Sequence, residues 1–240
     1  MRTLLISLAF PLLTAPAFAQ RAPVDLNQVG DGAAKCAEGK AQRAERLLAA
    51  PRSLASANID ITYYHLDLDI DLVASHIDGV VRVEGTVVGS PMTVLVLDLA
   101  SNMVVSSVTL PDATALAFSQ AGDALDITLP APVSPGGAVA VDVAYAGTPN
   151  SGDFGYFVFG SRAGSGSYAW SLSEPYGARQ WWPCKDHPSD KADSVRVTVT
   201  VLSQYRVGSQ GTLVGEMVGG GNTTYDWVSN YPISSYLVSV

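Results

Sequence analysis

Basic residues are scarce in this 240-residue chain: Lys and Arg number 14 against 22 Asp and Glu, leaving a net charge of −8. A chain of that sign gains nothing from the phosphates of DNA or RNA, so no nucleic-acid partner is expected. Cysteine is nearly absent. Cys36 and Cys184 are the 2 present, too few for a disulfide-stapled scaffold. They allow one Cys36–Cys184 bridge, or a free and buried Cys184. Histidine is rarer than the length suggests: His65, His76 and His187 are all there is. None is followed by Glu and no two lie four apart, so a zinc site of the H-E-x-x-H kind cannot be assembled from them. No metal or other cofactor is expected in this chain. The apolar run 4–13 is too short to cross a bilayer, so no membrane anchor is expected. Beyond Pro51 no long amphipathic helix and no internal repeat can be traced.

What is present begins with a leader. Arg2 is followed by the apolar run and then by Ala17-Phe18-Ala19, the order of a secretory signal peptide over 1–19, and export to the periplasm or medium is expected. Residues 20–57 read as an N-terminal arm in which 41–50 could form a short helix ended by Pro51. Residues 58–240 read as one β-domain. In 64–72, apolar Tyr64, Leu66, Leu68, Ile70 and Leu72 alternate with His65, Asp67, Asp69 and Asp71, the period of a half-buried strand. Further strands are expected at 80–88, 93–99, 103–110, 124–129, 139–145, 168–173, 195–201, 223–228 and 234–240, with 148–166 a Gly/Ser-rich loop region. Pro111-Asp112, Gly122-Asp123 and Pro135-Gly136-Gly137 supply turns. The fold class is all-β, an antiparallel saddle or sandwich of several sheets. The last apolar run stops without a polar or turn residue, from which a fragment or a truncated reading frame is expected.

Two segments could carry chemistry. Asp67, Asp69 and Asp71 invite a calcium loop, but Leu72 stands where such a loop needs Gly, and the alternation is that of a solvated strand face. The segment 171–194 is richer. Pro175, Pro183 and Pro188 stiffen it, and within fifteen residues it gathers Glu174, Arg179, Trp181 and Trp182. Glu174 is either an ion-pair partner of Arg179 or a carboxylate offered to a ligand. Trp181 and Trp182 either stack on a ligand or pack in a core. No motif identifies a histidine base that would make Cys184 a nucleophile.

Glu174-Pro175, Ala178-Arg179, Pro183-Cys184, Asp186, Pro188 and Lys191-Ala192 fall in register with the pattern Q-x-E-P-x-x-A-R-x-x-x-P-C-x-D-x-P-x-x-K-A. That segment resembles the N-terminal-domain signature of the aminopeptidase N family, peptidase family M1. Tyr63-Tyr64-His65-Leu66-Asp67-Leu68, Val207-Gly208-Ser209-Gln210-Gly211 and Tyr231-Pro232-Ile233-Ser234-Ser235-Tyr236-Leu237 resemble the family's opening strand, turn and closing strand. The resemblance implies a saddle-shaped β-domain that walls the active site of a separate zinc-bearing catalytic domain, absent from this chain. It implies that Glu174 holds the free amine of a peptide N-terminus, excluding blocked peptides. Leu172 stands where the family often has Gln, near the pocket for the first side chain. Pro175, Arg179, Pro183, Cys184, Asp186, Pro188 and Lys191 are implied to be scaffold. The chain by itself is then expected to be non-catalytic. The competing reading is a free-standing secreted β-module with Trp181, Trp182 and the Gly/Ser loop as its contact surface.

Overall fold

The structure is a computed structural model that describes residues 53–151, 155–164 and 166–240. The leader, the arm up to Arg52 and Cys36 lie outside the described residues. Among the described residues fourteen strands run in chain order: β1 (Ile59–Asp71), β2 (His76–Val87), β3 (Met92–Asp98), β4 (Met103–Thr109), β5 (Phe118–Ala121), β6 (Ala124–Val133) and β7 (Ala138–Gly147), then β8 (Phe157–Arg162), β9 (Gly166–Ser171), β10 (Lys191–Ala192), β11 (Ser194–Leu202), β12 (Thr212–Gly219), β13 (Asn222–Ser229) and β14 (Ile233–Ser234). Seven form one sheet in the order β12-β13-β11-β1-β2-β7-β4. Three form a second, β3-β6-β5, and β8-β9 and β10-β14 are two-stranded. The all-β, many-sheeted class expected from the pattern is what the chain adopts.

The pairing is antiparallel except at one ladder. β1 and β11 run parallel, with Tyr64 opposite Val195 and Leu68 opposite Val199, which the short strand spacing did not suggest. A parallel pair needs a crossover, and here the crossover is everything from β2 to β10. The long connection places the proline-rich segment directly before β11, at one end of the large sheet.

Alternation explains the core. On β11, Val195, Val197, Val199 and Val201 are buried. On β1, Ile59 and Ile61 are buried, then Tyr64, Leu66, Leu68 and Ile70. The change from odd to even positions needs one extra residue, and the β1–β2 register shifts between Ile61 and Tyr63. This is a bulge that keeps both halves of the strand facing inward. Asp67, Asp69 and Asp71 stand exposed on the opposite face, as a solvated strand face requires.

Two expectations fail. The final strand at 234–240 reduces to Ile233–Ser234 paired with Lys191–Ala192, followed by a 3-10 turn over Ser235–Leu237. The apolar run there is not a strand because its polar groups are claimed locally and by the end of β9. Val238 N–H donates to Ser235 O, and Val240 N–H to Ser171 Oγ at 3.0 Å. The loop region 148–166 contains the strand β8, paired with β9 through Phe157 opposite Ser171. The strand β12 was not foreseen; it is exposed along almost its whole length and so carries no inward alternation to read.

Candidate functional site

The segment between β9 and β10 has almost no regular structure, yet it contains the largest buried side chains of the domain, Trp181, Trp182 and Arg179. Trp182 meets Tyr64 of β1 edge-on, ring centroids 4.8 Å apart, and Trp181 packs on Phe157 of β8 at 5.3 Å. Trp181 Nε1 donates to Ser173 Oγ at 2.9 Å, and Tyr145 Oη donates to the carbonyl of Trp181 at 3.0 Å. The two tryptophans are core, not a contact surface. Replacing Tyr145 by Phe removes that donor and leaves a buried carbonyl short of it. Urea unfolding should show a loss of about 1–2 kcal/mol, and an unchanged midpoint would mean the bond contributes nothing.

Arg179 lies on a 3-10 turn, Ala178–Gln180. Its guanidinium sits between two fully buried carboxylates: Nε to Asp186 Oδ2 at 2.9 Å and Nη1 to Asp98 Oδ1 at 3.7 Å. Asp98, the last residue of β3, also accepts from Ser53 Oγ at 2.5 Å, Leu54 N–H at 2.6 Å and Asp186 N–H at 2.9 Å. Its backbone pairs with that of Cys184 in both directions, at 2.8 and 3.1 Å. Asp98 thus fastens three segments together. Its role was missed in the sequence, where the one signal was a single acid ending the apolar run 94–97. Burial pushes the Asp186 carboxyl up to about 6, with Arg179 opposing. Burial likewise pushes the Cys184 thiol well up, reinforced by Asp186 and Asp98. Cys184 is a buried free thiol, and its environment disfavours the thiolate a nucleophile needs.

Around this centre lie the other residues of the signature. Pro183 is buried. Pro188 presents its carbonyl to Ser234 Oγ at 2.9 Å, and Lys191 pairs with Ser234 on β10. Lys185 forms an ion pair with Asp190, and Asp190 Oδ1 accepts from Ile61 N–H at 3.3 Å beside the bulge of β1.

On the other side, burial alternates. Ser173 is buried, while Leu172 and Glu174 are exposed, and the Glu174–Pro175 peptide is cis. The structure therefore separates the signature into a buried, hydrogen-bonded base and an outward rim that holds Leu172 and Glu174. Arg179 belongs to the base.

No group of three His, Cys, Asp or Glu able to hold a metal stands together among the described residues. His65 lies on β1 against Thr198 Oγ1 at 3.0 Å, His76 beside Asp78, and His187 against Ser189 Oγ at 2.7 Å. These three sites share no ligand, and the residues described do not fit a zinc centre.

The protein-family model of the peptidase M1 N-terminal domain matches residues 61–237. The chain belongs to the peptidase M1 family, as its N-terminal domain. No curated protein matches it. Among solved structures, the M1 zinc metallopeptidase from Deinococcus radiodurans is 26% identical with a TM-score of 0.66. The same enzyme in a mutant form bound to a Tyr-Ser-Ala substrate is 27% identical with a TM-score of 0.67. Each match covers 78% of this chain and 42% of the other. Native yeast LTA4 hydrolase shares the fold at 21% identity and a TM-score of 0.63, over 78% of this chain and 29% of that one. The chain thus spans less than half the length of the solved relatives it matches.

Proposed function

We propose that this chain is the substrate-anchoring domain of an exported zinc aminopeptidase, and that Glu174 holds the free α-ammonium group of the peptide. The observation that carries the reading is the placement of Glu174: exposed, on the rim of a loop whose base is immobilised by Arg179, Asp98 and Asp186. A carboxylate on a fixed base recognises an ammonium ion through a charge-assisted hydrogen bond with little ordering cost. An acylated amine offers no positive charge and fewer protons there, so blocked peptides are rejected. Leu172, two residues earlier on the same rim, faces the first side chain. Solved M1 relatives bound to Tyr-Ser-Ala and to L-tryptophan, 27% and 29% identical to this chain, carry ligands with such an amine. The chain by itself holds no hydrolytic centre in this reading. The metal and the bond cleavage belong to a catalytic domain that it walls, and the leader 1–19 directs export.

The test compares free and N-acetylated peptides on the intact gene product, wild type and Glu174→Gln. Wild type should favour the free amine, and the variant should lose about 30-fold of that preference, near 2 kcal/mol. An unaltered preference would remove Glu174 from the site. Zinc-dependent release of an N-terminal amino acid by the purified 240-residue chain alone would refute the non-catalytic assignment.

A further inference from the structure

The strand that leads to Glu174 carries a feature the signature does not include. Along β9 and just beyond it, Tyr168, Trp170 and Leu172 alternate with the more buried Ala169 and Ser171 and are 45%, 40% and 42% exposed. Single exposed apolar residues on a surface need no explanation. Here three stand in line on one face, and the next residue of the alternation is Glu174 itself.

Both aromatic rings lie on seats made by glycine. A Cβ placed on Gly160, the cross-strand partner of Tyr168, would come within 2.5 Å of that ring's Cζ. A Cβ on Gly155 would come within 2.3 Å of Trp170 Cη2, and Gly155 has φ +82°. Any other residue at either place would lift its ring away. The rings are therefore laid against backbone on one side and open on the other. Rigid aromatic surfaces held in this way bind with little loss of conformational freedom. The inner face of the same hairpin is closed by Phe157 and Phe159 packed at 5.1 Å, so the outer rings are not needed to complete the core.

We infer that Trp170, supported by Tyr168, is the shelf that selects large apolar or aromatic side chains at the first position of the substrate. This rests on the proposed role of Glu174. With the amine held there, the first side chain leaves the same α-carbon and is directed over Leu172. Trp170 stands two same-face steps from Glu174, about 14 Å along the strand, but its ring lies over Gly155, whose neighbour Tyr156 accepts a hydrogen bond from the Leu172 N–H, so the ring reaches back beside Leu172, where a side chain of phenylalanine length meets it. An alanine methyl reaches neither. Stacking on the indole and removal of apolar surface from water then favour the aromatic substrate.

The experiment measures binding of phenylalaninamide, alaninamide and their N-acetyl forms to the intact gene product by calorimetry, with melting curves to confirm folding. Wild type should prefer phenylalaninamide over alaninamide by about 30-fold, the range that apolar pockets reach. Trp170→Ala should cut that ratio at least about 5-fold, and Trp170→Thr, which suits a strand, should do the same. Trp170→Phe should retain most of it. All three should keep the preference for free over acetylated amine. Glu174→Gln should do the reverse, losing the amine preference while the ratio between the two side chains survives. A size ratio untouched by Trp170→Ala and Trp170→Thr overturns the shelf. So does an equal loss of affinity for both amides, which would make Trp170 a packing surface for another part of the protein. Neither result bears on Glu174, whose role fails only if its own variant keeps the amine preference.

Discussion

Replacing Arg179 by methionine should cost the domain about 3–5 kcal/mol at neutral pH, the penalty for stranding a buried charge. Asp98 and Asp186 are both fully buried, and the guanidinium at 2.9 and 3.7 Å stands between them. Methionine matches the length of the stem but removes the cation. The two carboxylates then face each other in a buried site, and at least one must take up a proton or the loop must open. The hydrogen bonds from Ser53, Leu54 and the Asp186 amide to Asp98 remain, so the damage is electrostatic before it is geometric. Urea unfolding at pH 7 measures it. A shift under about 1 kcal/mol would mean the clamp is far better solvated than its burial indicates. A second variant separates charge from packing. Adding Asp186→Asn to Arg179→Met removes one of the two stranded charges and should recover a substantial part of the loss.

How much of this could be read from the chain follows from which residues carry periodic information. The strands β1, β7 and β11 announce themselves because one side of each is buried and the other is not. Val195 to Val201 alternate without exception. The bulge at Ile61/Tyr63 is also visible in retrospect as a change of parity in the apolar positions. β12 could not be found this way, since a strand exposed on both faces has no parity to break. Nor could the parallel β1–β11 ladder, which is a property of the connection and not of either strand. In the loop, register with the family pattern singled out Arg179, Cys184 and Asp186. It could not show that Asp98, some eighty residues earlier, completes their charge balance, because that pairing exists only once β3 lies against the loop. Trp170 and Tyr168 were legible as residues of a strand but not as an outward row. Their exposure depends on the glycines beneath them and on the hairpin partner β8, which composition alone assigns to a loop.

The stability difference between wild type and Asp186→Asn should narrow as pH rises from 4 to 7, by on the order of 3 kcal/mol. The carboxyl of Asp186 titrates at about 6 in the folded domain against an ordinary value of 3.8, with burial the larger cause and Arg179 opposing it. A carboxyl whose pKa is raised by folding binds its proton more tightly when folded. Its stabilising contribution is complete below 3.8 and is lost as pH climbs through 6; 2.2 pH units correspond to about 3 kcal/mol. The asparagine side chain has the same shape, keeps an acceptor for Arg179 Nε, and does not titrate, so its variant lacks this slope. Acids remote from Asp186 contribute to both curves and cancel in the difference. The groups that face Asp186 are Arg179, Asp98, Cys184 and the Ser235 hydroxyl at 3.3 Å. Arg179 stays charged across the whole window, and the raised Cys184 thiol stays protonated. The narrowing thus reports the Asp186 site, with Asp98 coupled to it across Arg179. A difference that widens with pH would show that the attraction of Arg179 exceeds the cost of burial, and the clamp would then be strongest where Asp186 is ionised.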